Sequence, residues 1–454
     1  MPTLCRSDIR DETRGHFSGQ IGQCTAGVAP LLLRWARGWQ SRLPLASRLR
    51  PLAALCAMLL PVHSVPVHAD VTSRIQLEQV LSRYIGGGTP RSGARFTLDA
   101  SLGITSTDNI WSLGTEFRVE GLSDFDTVSA RGELRQFTLT RKGDTVDLAI
   151  GLDQLNWGRG DRVRVLDRLH AMDASEPVFR DLQDYRRPDW MARVLYLYEN
   201  GSVEAVLIPR ANVDRIDFSN RYAPQFAPEL QEAGRIQRRP SGSSAAKFGL
   251  RWDFSAAMTD WRFVVISGPS AEGAVRTELV GAAQRLVFEY PRETLVGAGF
   301  ERPVGELVVR GELAFINDRP ISVRNGMMLE IQRDNALLGL AGVDWNIEEW
   351  FVGAQLVHTR LLSPPAGLFG PSELSVASLT ARRDFAQGLF SFSTTLSSDL
   401  SERDMWLSGD LSYHPANNPF VISLGAHAFA GNRSGLFGRH KDNSRIDLSI
   451  KGRW

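Results

Sequence analysis

The chain has 454 residues, 43% of them hydrophobic, with 52 Lys and Arg against 51 Asp and Glu and a formal net charge of +1. That length would hold two or three ordinary domains, yet no run of about 18 apolar residues occurs, which excludes a bundle of membrane-spanning helices. Once the Arg-rich first 69 residues are set aside the balance turns slightly acidic, so nucleic acid is not an expected partner.

The first element is the apolar run Leu52 to Pro61, preceded by Arg42, Arg48 and Arg50 and followed by Val67-His68-Ala69. Charged, apolar, then small is the order of a secretory signal, so residues 1–69 are predicted to be a leader cleaved after Ala69. Cys5, Cys24 and Cys56 all fall inside it. A cysteine-free remainder suits passage through an oxidising periplasm. Leu55 before Cys56, with more apolar chain after it, argues against a lipoprotein site.

Residues 70–94 are predicted to form a short periplasmic or lumenal segment. Ile75, Leu77, Val80, Leu81 and Tyr84 approximate helical spacing, with an extra strand as the competing reading. From Arg95 to Trp454 the chain is a succession of segments about ten residues long that alternate in character. Phe96, Leu98, Ala100, Leu102 and Ile104 share one face. Phe248, Leu250, Trp252 and Phe254 oppose Lys247, Arg251 and Asp253, while Leu307, Val309, Leu313 and Phe315 oppose Glu306, Arg310 and Glu312. The last segment alternates throughout: Ile446, Leu448, Ile450 and Trp454 against Asp447, Ser449, Lys451 and Arg453.

Connection lengths give a second test, because outer-membrane barrels join strands by short turns at one end and long loops at the other. Read back from Trp454, short links at 415–419, 383–387, 346–349, 303–305, 256–260, 199–202 and 141–144 alternate with longer ones at 430–444, 397–403, 360–373, 317–335, 268–283, 209–245 and 154–189. Taking 284–302 as one strand interrupted at Pro291 yields 17 strands after Arg95. Bacterial barrels prefer even numbers, so the predicted fold is an all-β, transmembrane antiparallel β-barrel of 16–18 strands with long extracellular or inward-folded loops. The C-terminus is then periplasmic, with Trp454 as an interfacial aromatic and a tag for the barrel-assembly machinery.

The most specific wording lies between Glu133 and Pro209. It includes Gln154, Trp157-Gly158, Asp161, Val165-Leu166-Asp167, Asp173, Asp184, Arg186 and Pro188-Asp189-Trp190. Here the chain resembles a family of proteobacterial outer-membrane proteins of unknown function, and the likeness resumes at 307–315 and at Gly435-Leu-Phe-Gly438. It departs from that pattern at His170-Ala171-Met172, where relatives carry Asn-Pro ahead of the Asp. The resemblance implies an outer-membrane, porin-like barrel, often encoded beside an exporter of the resistance-nodulation-division type and an outer-membrane lipoprotein. It implies no activity.

Residues 159–189 hold seven Arg and seven acidic residues. Folded inward, such a stretch would pair with the wall and narrow the pore; left outside, its ion pairs would be worth little. The candidate lumen and constriction residues are therefore Arg159, Asp161, Arg162, Arg164, Asp167, Asp173 and Arg180 in the loop. On the wall they are Lys247, Arg251, Asp253, Glu306, Arg310, Glu312, Asp447, Lys451 and Arg453. Both signs occur, so strong ion selectivity is not predicted.

His170, His358, His414, His427 and His440 show no metal-ligand spacing. His427 and Ser423 share a strand face, but residues four apart in a strand lie about 13 Å apart, too far for proton transfer. An enzyme or a cofactor is not expected. The function read from the sequence is a channel for small or amphiphilic molecules, with outer-membrane lipid around it. The alternative is a plugged barrel serving an exporter and lipoprotein, or a surface-binding protein.

Overall fold

The protein is represented by a computed structural model that describes residues 69–87, 91–124, 127–161, 163–176, 182–218, 222, 233–281 and 283–454. All of the leader except Ala69 lies outside the described residues, as do Arg162, Arg180, Pro224 and Pro228 of the two longest loops.

Among the described residues, twenty-one strands follow one another. The first seven are β1 (Ala69–Tyr84), β2 (Arg91–Ser106), β3 (Trp111–Asp124), β4 (Thr127–Arg141), β5 (Val146–Asp153), β6 (Asp189–Tyr198) and β7 (Gly201–Ile208). Next come β8 (Gly234–Arg238), β9 (Lys247–Ala256), β10 (Thr259–Pro269), β11 (Ala274–Val280), β12 (Ala283–Glu289), β13 (Arg292–Val304) and β14 (Leu307–Asn325). The rest are β15 (Met328–Ile347), β16 (Trp350–Leu361), β17 (Glu373–Phe385), β18 (Phe390–Asp399), β19 (Asp404–Tyr413), β20 (Phe420–Ala430) and β21 (Arg445–Arg453). All but β8, β11 and β12 form one 18-stranded sheet. Each of its strands is antiparallel to the next, and β1 closes it by pairing with both β2 and β21, Gln76 opposite Arg453 and Tyr84 opposite Arg445.

Closure satisfies every edge, which a bilayer demands of a β-structure. The outside is apolar: Ile446, Leu448 and Ile450 are about half exposed while their neighbours Arg445 and Asp447 are buried on the other face. Aromatics gather at the short-turn end, where Phe385 stacks on Phe390 (5.5 Å), Phe390 meets Tyr413 (5.2 Å) and Trp454 meets Phe420 edge-on (5.3 Å). Such a girdle belongs at a membrane-water boundary. Trp454 also exchanges backbone hydrogen bonds with Ile75 (2.8 and 2.9 Å), extending the closing ladder to the last residue.

Four sequence expectations change. Residues 70–94 are no separate segment: β1 occupies Ala69–Tyr84, supplying the eighteenth strand, and the near-helical spacing of its apolar residues loses to edge pairing on both sides. Residues 284–302 are not one strand, because Pro291, which has no N–H to give a ladder, separates β12 from β13. β12 instead pairs antiparallel with β11 and parallel with β8, a small sheet at the long-loop end whose core includes Leu286, Phe288, Val275 and Leu329. The loop expected at 317–335 is mostly sheet, since β14 and β15 run on beyond the register break between Ile316 and Arg319, where Asp318 takes φ 58°. Finally, Glu306 lies in the two-residue turn between β13 and β14, where Gly305 supplies φ 62°. It is a rim residue, accepting from the Trp345 indole (3.4 Å), and not a lumen residue.

Candidate functional site: the lumen and its inward-folded loop

The loop after β5 folds into the barrel. Trp157, Leu166, Leu169 and His170 are essentially inaccessible, and their neighbours are inward-facing wall residues. Val206 and Ile208 of β7, Val264 and Ile266 of β10, Leu295 of β13, Ala314 and Ile316 of β14, and Leu338 and Leu340 of β15 join Trp157, Leu166 and Leu169 in one apolar cluster. The wall is shaped to receive them. A Cβ on Gly249 would come within 2.5 Å of the Trp157 ring, and one on Gly297 within 2.4 Å of Leu166. Glycine inside a strand marks such a close approach.

A chain lying in a lumen must still satisfy its backbone. Glu312 of β14 accepts the N–H groups of Leu166 (3.1 Å) and Arg159, and Gln355 of β16 accepts that of Asp161 (3.2 Å). Arg262 of β10 donates to the Trp157 carbonyl (3.1 Å). The Trp157 indole N–H donates to Glu204 (2.8 Å), a buried carboxylate that also pairs with Arg193 and with Arg251 (3.2 Å). Arg310 holds Asp161 (2.6 Å) and Asp344 (3.1 Å), and Arg159 pairs with Glu301.

The loop is also braced from within. Asp167 accepts from the Trp157 N–H (3.3 Å) and pairs with Arg186 (2.7 Å). His170 accepts the Leu155 N–H at Nε2 (3.0 Å), which leaves its Nδ1–H to donate to Asp189 (2.7 Å). Asp173 pairs with Arg131 (2.9 Å) and Arg215 (3.2 Å). Glu272, in the connection before β11, sits among Arg168 (2.8 Å), Arg319 (3.2 Å) and Arg164 (4.0 Å). Burial would raise its carboxyl, but the three guanidinium groups win and hold it below the usual range. Asp214, accepting the Met172 N–H (2.7 Å), goes the other way: burial pushes it up to about 6.

Of the sequence candidates, Arg159, Asp161, Arg164, Asp167 and Asp173 thus lie in the loop and are tied to the wall or to the loop itself. Lys247, Arg251, Asp253, Arg310 and Glu312 face inward beneath the loop. Lys247 is buried with Nζ donating to the Leu169 carbonyl (3.2 Å), and Asp253 pairs with Arg251 (2.8 Å) and Arg262 (2.6 Å). Asp447, Lys451 and Arg453 lie across the barrel from this cluster. The sequence reading missed Glu204, Arg262 and Gln355, and also the wall glycines, whose only signal was glycine within a strand pattern.

The opposite side of the lumen, along β1–β5 and β18–β21, is polar. Two cavities of about 540 and 510 Å³ adjoin a common wall of Gln76, Asp99, Arg118 and Asp184 and together make up a polar track. Its charges alternate as pairs: Arg118 with Asp99 (2.5 Å) and Asp184 (2.8 Å), Arg95 with Glu120 (3.3 Å), Arg445 and His427 with Asp447 (2.8 and 3.4 Å), Lys451 with Glu78 (3.7 Å). Serines 408 and 423 fill the intervals. The Arg95, Arg118 and Arg135 row was also missed from sequence, because these arginines stand in strands read only for their apolar partners.

No family model and no curated protein matches the chain in sequence. In fold it is similar to solved structures of outer-membrane-type barrels. Pseudomonas aeruginosa OccK8 (OprE) superposes with a TM-score of 0.50 at 9% identity, covering 85% of this chain and 98% of that one. Pseudomonas aeruginosa OpdL gives 0.50 at 10% and Acinetobacter baumannii OccAB3 gives 0.50 at 11%, each covering 85% of this chain and 99% of the other. At such identity the likeness is one of fold: a closed, all-β, 18-stranded antiparallel barrel.

Proposed function

We propose that this protein is a porin-like channel of the bacterial outer membrane, narrowed by the 154–189 loop and conducting small solutes through the polar half of its lumen. One observation carries the reading: the inward loop fills the apolar side and leaves a charged, hydroxyl-lined track beside it. Paired charges of both signs replace hydration for polar solutes without strongly favouring either ion. Reconstituted in planar bilayers, the protein should give small, discrete conductance steps. Silence at every voltage, even after deletion of 159–176, would contradict the channel.

A second reading, an accessory barrel for an exporter and an outer-membrane lipoprotein, is favoured by the small β8–β12–β11 sheet, which presents exposed Leu279 and Val280 at the long-loop end. It requires loss of export of an amphiphilic product when the gene is deleted, together with no conductance in vitro. Lipid around the belt and assembly through Trp454 belong to either reading. Removing Trp454 should lower the amount of folded barrel in the outer membrane.

A further inference from the structure

A third cavity, of about 510 Å³, opens at the long-loop end between the inward loop and strands β17–β19, within the range of small-molecule sites. Val163, Ile321, Leu374, Leu436, Phe437 and Trp406 supply much of its surface, which is mainly apolar. Trp406 is buried, with Phe429 and Phe437 ring centroids at 6.0 and 6.3 Å, and it borders both this cavity and the polar track that contains His427. Ser397, opposite Trp406 in the β18–β19 register, also lines the cavity. It is fully buried, and its hydroxyl has no hydrogen-bond partner among the described residues.

The charged groups at the mouth are already engaged. Arg168 and Arg319 hold Glu272, Arg164 donates to the carbonyls of Asp167 and His170, Asp161 meets Arg310, and Glu373 meets Arg360. An ionic ligand would have to break such a pair, whereas a neutral one needs only the apolar wall and the unpaired hydroxyl of Ser397. An orphan buried hydroxyl costs free energy until something bonds it.

We infer that this cavity is a binding site for an uncharged molecule with a ring-sized apolar body and at least one hydrogen-bonding group, held against Trp406 and bonded to Ser397 before it enters the polar track. The inference rests on the channel reading and names the class of solute.

The test is calorimetric titration of the detergent-solubilised barrel with three water-soluble probes: 4-nitrophenyl β-glucoside, methyl β-glucoside, which lacks the ring, and 4-nitrobenzoate, which has the ring and a charge. Saturable binding is expected for the aryl glucoside alone. Trp406→Ala should weaken it about tenfold or more, and Ser397→Ala about fivefold. Leu436→Trp, which enlarges one apolar wall side chain into the cavity and leaves Trp406 and Ser397 in place, should abolish it, with heat-modifiable gel mobility confirming that each variant is a folded barrel. Equal binding of methyl glucoside, tighter binding of nitrobenzoate, or unchanged affinity in all three variants would overturn the site. Binding lost in a wild-type barrel that still conducts would overturn the site and leave the channel standing. Binding retained without conductance would support the site and remove the channel.

Discussion

The two sides of the lumen are built from the same kind of strand and yet behave oppositely. On β7, β10 and β13–β15 the inward positions are Val206, Val264, Ile266, Gly297, Ile316 and Leu338, and a loop packs on them as a core. On β1–β5 and β18–β21 they are Glu78, Asp99, Arg118, Ser408 and Asp447, and the space stays open. The difference teaches that a barrel wall has two readable faces. Outward alternation marks the membrane side everywhere, while the inward residues decide, strand by strand, whether a lumen is core or channel.

The sharpest way to break the contrast is to empty the filled side. Trp157→Ala removes a fully buried indole ring and one of the donors to Glu204, and should loosen the loop by about 3–5 kcal/mol, read as lost hydrogen-exchange protection over 155–172. Protection unchanged would mean that the loop does not depend on its apolar seat. Next in size, Glu312→Ala leaves the N–H groups of Leu166 and Arg159 without their acceptor, a loss of about 1–3 kcal/mol that should raise single-channel conductance. The same substitution type on the open side, Arg118→Ala, should leave loop protection intact and shift reversal potential toward cations. A larger effect on protection than on selectivity would erase the distinction between the two sides.

The smallest effect is on pH dependence. The folded carboxyl of Asp214 is raised to about 6, so the folded state binds its proton more tightly than the unfolded chain does. Its contribution is therefore complete below the ordinary carboxylate range and is lost as pH rises through about 6. Loop protection should fall slightly between pH 5 and about 7 in the wild type, and Asp214→Asn should flatten that slope.

Much of this was legible. Alternating segments and turn lengths led to 17 strands after Arg95, and among the described residues β2–β21 supply 17 barrel strands with β1 as the eighteenth. β1 was ambiguous because Ile75, Leu77, Val80 and Leu81 satisfy two spacings at once, and only pairing with β21 decides between them. The small sheet was hidden because β11 lies inside the connection expected at 268–283 and β12 alternates like a wall strand, with Pro291 the sole mark of a break from β13. In the site, loop charges such as Asp161 and Asp167 were legible as pairing groups, whereas their partners lie as far as 149 residues away, as Arg310 does from Asp161. A clue was present in Phe263-Val-Val-Ile266 and Ala336-Leu-Leu-Gly-Leu340, which are apolar on both faces. A wall strand of that kind must be covered on its inner side as well.

On the channel reading, one loop closes half of the lumen and leaves the other half conducting. Single-channel recording of the wild type beside a variant lacking residues 159–176 tests it most directly. Small steps in the wild type and steps several-fold larger in the variant are the predicted result; equal conductance in two folded barrels would contradict it.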